Sequence, residues 1–359
     1  MTLLALLACT KPDVDPGLTT ALGVGDGALD PAMADWSLVI GPDDEVSDPR
    51  DLGFDTVGNL WVANRQDDHT FIVSNPGTAD QVVDRREDGY SEHFMEETSA
   101  FAFEDASGEE EFGPEFGSCG ESENTYNGER PPNNLMGPVL WATDLDIFAA
   151  QNPNDLGSHL DMLHESPDCV GLAWERDNVY WVFDGYHSAI VRYDFVEDHG
   201  VGNDDHSDGT IYRVTGLDVT RVQYAPGHME IDRDAGLLYT ADTGGGRVLW
   251  LDVASGHEGE TLREHEPIDD YAEWDDTDFG ELVTGLDQPG GIALDGQGHL
   301  FVGEYGTGVI HVYDLDGNEL QSLDTGWGVG GLHGIEIGPD GALWAVDNTG
   351  MGVYRLAPV

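Results

Sequence analysis

The stretch "RDLGFDTVGNLWVAN", residues 50–64, runs as a short apolar segment, breaks at an Asp/Gly turn, and resumes as a second apolar segment ending in an amide. Alternation on either side of a tight Asp/Gly turn is the pattern of a β-hairpin. The phrase returns as "VGLAWERDNVYWVFD" (170–184), "GHMEIDRDAGLLYTAD" (227–242), "GGIALDGQGHLFVGE" (290–304) and "HGIEIGPDGALWAVD" (333–347), each closing on a carboxylate. A third apolar segment follows each hairpin: "TFIVS", "AIVRYDF", "RVLWLDV", "VIHVYDL" and "GVYRLAP". A sixth, degenerate copy lies in "SAFAFEDASGEEEFGPEFGSCGE" (99–121), with "GPVLWATDL" as its third strand.

Six such units, recurring every ~40–60 residues, predict an all-β chain folded as a six-bladed β-propeller. The last copy runs out after three strands, and a spare strand, "DWSLVIG" (35–41), precedes the first. That N-terminal strand is expected to supply the last blade's outer strand, closing the ring without a free edge. Trp61, Trp181 and Trp344 recur at second-strand positions and read as packing residues. The repeat resembles the NHL family of six-bladed propellers over residues 35–359. The resemblance implies the fold and an axial pocket, and fixes no single activity.

Charge sets the next bounds. The 359 residues carry 71 acidic against 14 basic side chains, a formal net charge of −57, with Lys11 the only lysine. A field this negative repels nucleic acid and anionic membrane surfaces, and suits a saline setting or cationic partners.

The opening residues, "MTLLALLACTKPD", carry an apolar run ending in Leu6-Leu7-Ala8-Cys9. This resembles a bacterial lipoprotein box, which implies a lipoprotein-type signal over 1–9, short enough to be truncated, and lipidation of Cys9. The expected location is extracytoplasmic, on an outer membrane or cell surface or secreted, with the membrane touched only through the lipid anchor. Residues 10–34, rich in Gly, Pro, Asp and Thr without amphipathic period, read as a flexible tether. Cys119 and Cys169 remain as a pair, and an export signal makes a disulfide between them the expectation.

In a propeller, the loops from one blade's outer strand to the next inner strand, and from second strand to third, share one face, the top. That face is expected to gather His69, His93, His159, His164, His187, His228 and His333, and with them the insertion 122–137. The residues opening the inner strands read Arg50, Ser99, Val170, Gly227, Gly290 and His333, with His228 one place off. The Asn/Asp pattern of calcium-dependent gluconolactonase-type enzymes is absent from these openings.

"LWVANRQDDH" and "FDGYHSAIVRY" resemble the arginine and tyrosine loops of the peptidyl-hydroxyglycine amidating lyases. The resemblance implies catalytic roles for Arg65 and Tyr186 and zinc, or another divalent metal, on His228 and His333. The family's remaining ligand position holds Ser99, so a third ligand is expected from His93, His159 or His164. Zinc in such a centre needs three protein ligands and an open position.

Two further stretches bear on metal. In "GSHLDMLHESPDC" (157–169), Ser158 and Asp161 have the spacing of a capping box, which predicts about two helical turns over 159–165. His159 and His164 would then point ~140° apart, so the stretch is not a metal motif of its own. In "DFVEDHGVGNDDHSDG" (194–209), Asp204, His206 and Asp208 before Gly209 faintly resemble a calcium loop. The closing glutamate is lacking, and a solvated acidic loop on the opposite face is expected instead. The favoured function is ligand binding, of a small molecule, peptide or protein, at a His- and acid-rich top face. A metal-dependent lyase or hydrolase and a protein-interaction scaffold are the alternatives.

Overall fold

A computed structural model describes residues 18–105, 112–123, 135–150, 156–203 and 205–357. Cys9, Asp204 and most of the 122–137 insertion lie outside these residues. Six small sheets, each built on four antiparallel strands, stand around an axis. Their inner strands are Pro49–Phe54, Thr98–Phe103, Cys169–Arg176, Met229–Asp232, Pro289–Leu294 and Leu332–Ile337. Blade six takes its outer strand, Asp35–Ile40, from the N-terminal side, in register from Asp35 opposite Ala357 to Ile40 opposite Val353. The expected closure of the ring is therefore present. One elaboration was not legible in the repeat. A hairpin, His257–Thr261 and Asp270–Asp275, leaves blade four and pairs in parallel with the outer strand of blade three, Thr210–Val214.

The residue that ends each second strand explains the persistence of the repeat. Asn64 Oδ1 accepts from the Ser47 and Asp48 amides, and Asp184 Oδ1 from those of Tyr186 and His187. Asp242 holds the Thr220 and Gly245 amides, Glu304 that of Asp287, and Asp347 that of Gly350. Each satisfies loop N–H groups that no strand can reach, so each is a structural cap. Between blades, Trp61 and Trp181 are fully buried and Trp344 nearly so, with the indole N–H of Trp61 donated to Asp55 Oδ2 (3.0 Å) and that of Trp181 to Glu175 Oε2 (2.7 Å). Cys119 and Cys169 form a disulfide, Cα–Cα 5.8 Å, joining blade two to blade three.

Two expectations change. Residues 18–34, read as tether, are fastened to the ring: Gly27–Ala28 pairs in parallel with blade five at Gln321 and Ser322. Ala21 and Leu22 are buried in the apolar cluster between blades five and six, with Leu332 and Leu356. Buried Gln321 accepts from the Thr20 hydroxyl and donates to the carbonyls of Gly23 and Gly25. Two-residue strands carry no periodicity, which is why composition alone reads as linker. The second change concerns 159–165, which is not helical. Asp161–Met162 is the outer strand of blade two, with Asp161 opposite Leu140 and Met162 opposite Val139. Pairing with a strand twenty residues away outweighs a local capping pattern. His159 therefore lies just ahead of that strand rather than in a top loop, and it meets the 194–209 loop, since the Gly202 amide donates to the His159 carbonyl (2.8 Å). The two stretches adjoin instead of lying on opposite faces.

Candidate functional site

The blades meet at the axis through bare backbone. A Cβ on Gly171 would sit 2.1 Å from the Gly227 carbonyl oxygen, and one on Gly291 2.2 Å from that of His333. Only glycine permits that approach, and it lets the His228 amide donate to the Gly290 carbonyl (3.0 Å) across blades. The side chains left at the axis are Arg50, Asp51, Ser99, His228 and His333, all buried. Asp51 accepts the Phe101 and Leu52 amides, both at 2.8 Å. His228 Nε2 donates to the Ser99 carbonyl at 3.1 Å, and its Nδ1 stands 3.4 Å from Asp51 Oδ1. Arg50 donates to the Tyr224 carbonyl and to Asp48 Oδ2 (3.2 Å). His333 Nδ1 is buried without a hydrogen-bond partner among the described residues. Burial, then the charges of Arg50 and His228, hold the His333 imidazole well below its ordinary pKa, so it is neutral.

A three-histidine zinc centre does not fit this set. His228 faces an oxygen with each ring nitrogen, leaving one open imidazole nitrogen, on His333, near a guanidinium. Ser99 spends its hydroxyl on the Cys169 carbonyl (2.6 Å). His93, His159 and His164 converge on one another, away from His228 and His333. With Tyr90, Phe94 and His206 they line a separate cavity of about 140 Å³ beside blade two. The His93 and His164 rings are 5.9 Å apart, and burial followed by the His164 charge lowers His93 to a pKa of about 4. The axial residues present do not make up the ligand set that the amidating-lyase resemblance implies.

On the top face, a cavity of about 270 Å³ is lined by Arg65, Arg221, Tyr224 and five acidic residues, Glu96, Glu97, Glu121, Glu123 and Asp168. Arg65 reaches it from the turn after Leu60–Asn64, pairs with Glu97 Oε2 (2.7 Å) and lies over the Tyr224 ring, 5.0 Å from its centroid. Arg221 pairs with Glu121 and with Asp168 Oδ2 (3.1 Å). Glu121 also accepts the Tyr224 amide at 2.9 Å. Desolvation lifts Asp168 to a pKa of about 6 against the pull of Arg221, with Glu123 and Glu121 adding to the rise. Desolvation also lifts Glu97 against the pull of Arg65. Asp68, just behind, is pushed up to about 6 by burial and by Glu96 and Glu97. Two guanidiniums do not neutralise this mouth. Tyr186 lies outside the lining, 45% exposed beside His187. Arg65 and Tyr186 are thus not brought to one point.

Glu121, Arg221, Tyr224 and Asp168 were not singled out from the sequence. One signal existed: Glu121 follows the second strand of the degenerate copy, where the other copies carry their cap. There it serves the mouth instead.

The axis opens at its other end into a cavity of about 340 Å³, walled by apolar side chains and by Asp51, His228, Glu230, Arg233 and Glu336. Burial raises Glu230 to a pKa of about 7; burial and the neighbouring Glu230 also raise Glu336 well above its ordinary value. A carboxyl whose folded pKa lies above its unfolded value keeps its proton while the unfolded chain releases one. Stability therefore falls as pH rises from about 4.5 through about 7. Glu230→Gln should flatten that slope and stabilise the protein at pH 8 by ~2 kcal/mol, a 1.36 kcal/mol-per-unit effect reduced for channel water. Paired urea titrations at pH 5 and 8 measure it; equal slopes in both proteins refute it.

No family model matches this chain, and no curated protein does. Solved structures do. Streptogramin B lyase superposes with TM-score 0.50 at 12% identity, covering 92% of this chain and 99% of that one. A gluconolactonase from Xanthomonas campestris gives 0.50 at 14% identity, covering 90% and 89%. A luciferin-regenerating enzyme gives 0.52 at 11%, covering 91% and 96%. The protein is a six-bladed propeller. At these identities the likeness is one of fold alone.

Proposed function

We propose that this propeller binds a small organic cation, bearing an ammonium or guanidinium group, in its top-face mouth. The observation that carries this reading is the imbalance of five carboxylic residues against two arginines in one cavity of about 270 Å³. A cation seated beside Asp168 would offset the desolvation that lifts its carboxyl to about 6 and so favour its charged form. The Tyr224 ring, now covered by Arg65, offers a face for the same class of ligand. The disulfide and the lipoprotein-like Cys9 support an extracytoplasmic setting, with the mouth open to cations outside the cell.

Calorimetric titration with putrescine, spermidine and arginine in 0.15 M and 1 M salt tests it. Glu121→Gln keeps an acceptor for the Tyr224 amide and removes one charge, so affinity should fall about tenfold, the equivalent of 1.4 kcal/mol. Glu258→Gln, on an exposed strand elsewhere, should change nothing. Equal losses in both variants would mean that the probes only sense net charge. The alternative of a metal-dependent lyase on His228, His333, Arg65 and Tyr186 lacks its third ligand at the axis. It requires about one zinc per chain by mass spectrometry, lost in His228→Ala/His333→Ala.

A further inference from the structure

The structure points to a metal site away from both the axis and the mouth, where the loop of blade three meets the outer strand of blade two. We propose that Asp161, His199 and Asp208 bind one zinc-class divalent ion. One donor atom from each lies within 4.8 Å of the other two. His199 and Asp208 come from the 195–209 loop, and His199 Nε2 is 2.7 Å from Asp208 Oδ1. Asp161 comes from the short outer strand Asp161–Met162 of blade two.

Asp161 is the observation that singles out this cluster. Its residue is 1% exposed, and its Oδ2 has no hydrogen-bond partner among the described residues. Leaving a carboxylate oxygen buried and unmatched is costly, and a cation is the partner that removes the cost. The other oxygen, Oδ1, is already held by His206 Nδ1 at 2.6 Å and by the Met162 amide at 2.6 Å. Such outer contacts fix a carboxylate in place and leave its second oxygen uncommitted, available to an ion. The approach of the loop is set independently, by the Gly202 amide on the His159 carbonyl (2.8 Å) and the Leu156 amide on the Gly202 carbonyl (3.3 Å). Tetrahedral donors ~2.1 Å from an ion stand ~3.4 Å apart, so the ion would replace the His199–Asp208 hydrogen bond and part those two atoms from their 2.7 Å contact.

The donor chemistry selects the ion. Two carboxylates and one imidazole suit Zn²⁺ or Mn²⁺, whereas Ca²⁺ and Mg²⁺ take all-oxygen shells and Cu(I) takes sulfur. Bound there, the ion joins blade two to blade three on the rim, outside the disulfide.

The test is zinc titration of the full chain after chelator treatment and dialysis, read by calorimetry, by metal content and by the visible spectrum of the Co²⁺ form. One equivalent should bind, and Asp161→Asn and His199→Gln should each weaken it at least about 100-fold. At a hundredfold excess over Kd, zinc should raise Tm by about 3 °C, and not in those variants. His199 is on the loop and partly exposed, so His199→Gln decides the matter even if Asp161→Asn fails to fold. Glu121→Gln at the mouth and His93→Gln in the histidine cavity should leave binding intact. The proposal is overturned if the native chain binds no zinc, if His199→Gln binds it as the native chain does, or if His93→Gln is the variant that loses it.

Discussion

Removing residues 1–41 should yield a chain that no longer melts cooperatively as a monomer. The deletion strips blade six of its outer strand and leaves the edge of Gly352–Ala357 unpaired along the whole Asp35–Ile40 register. It also takes away Leu22, Val39 and Ile40, three aliphatic side chains that are now buried. At ~1.5–3 kcal/mol for each such side chain, the apolar loss is about 5–9 kcal/mol before any backbone hydrogen bond is considered. A domain's whole stability is ~5–15 kcal/mol, so the ring has little with which to absorb it. The exposed edge is moreover a template for another copy of the same edge. Light scattering after size exclusion should find association, and circular dichroism should find a broad, early transition. Removing only residues 1–34 keeps Asp35–Ile40 and should preserve the monomer at reduced stability. A chain starting at residue 42 that elutes and melts as the full protein does would show that the closing strand is dispensable.

Loss of the disulfide should be the largest effect of any single substitution named here. Cys119 and Cys169 are separated by 50 positions, and closing a loop of that size in the unfolded chain is worth ~4 kcal/mol in the chain-entropy view. Both sulfurs are buried, so alanine is the appropriate replacement, since it introduces no polar atom. Cys119→Ala should lower the unfolding free energy by ~4 kcal/mol in denaturant titrations, and Cys119→Ala/Cys169→Ala should cost little more than the single change. Reductant should reproduce the loss in the native chain and leave the variant unmoved. Coincident unfolding curves for oxidised and reduced protein would refute the expectation. An intact bridge also fixes the Cys169 carbonyl that receives the Ser99 hydroxyl, so its removal reaches the axis.

The fold was legible because its repeating unit is held by chemistry that must recur. A turn needing Asp or Gly and a second strand needing a terminal acceptor leave marks wherever a blade exists, and Asn64, Asp184, Asp242, Glu304 and Asp347 are those marks. The site was legible only where it borrowed from the same grammar. Arg65 follows such a cap, and the structure sets it in the lining of the top-face mouth. Arg221 and Tyr224 sit in the irregular stretch between blades three and four, where no period or turn rule applies. Asp161 and His199 illustrate the same limit from the other side. Thirty-eight positions separate them in sequence, and nothing local in either stretch announces that a blade-two outer strand and a blade-three loop share a boundary. His159 and His164 were assigned to a helix for the same reason: a capping pattern is local, whereas the strand that overrides it depends on Val139 and Leu140.

The fastening of residues 18–34 has a mechanical consequence. A pull on the N-terminus, as from a membrane anchor, does not act first on the seam that closes the ring. It must first detach Thr20 from Gln321 and extract Leu22 from between blades five and six. The seam itself is weak in that direction, because Asp35 and Ala357 stand opposite one another at its open end and would part pair by pair, like a zip. The stretch ahead of it therefore works as a fuse: tension can be spent releasing some seventeen residues of slack while the six blades stay whole.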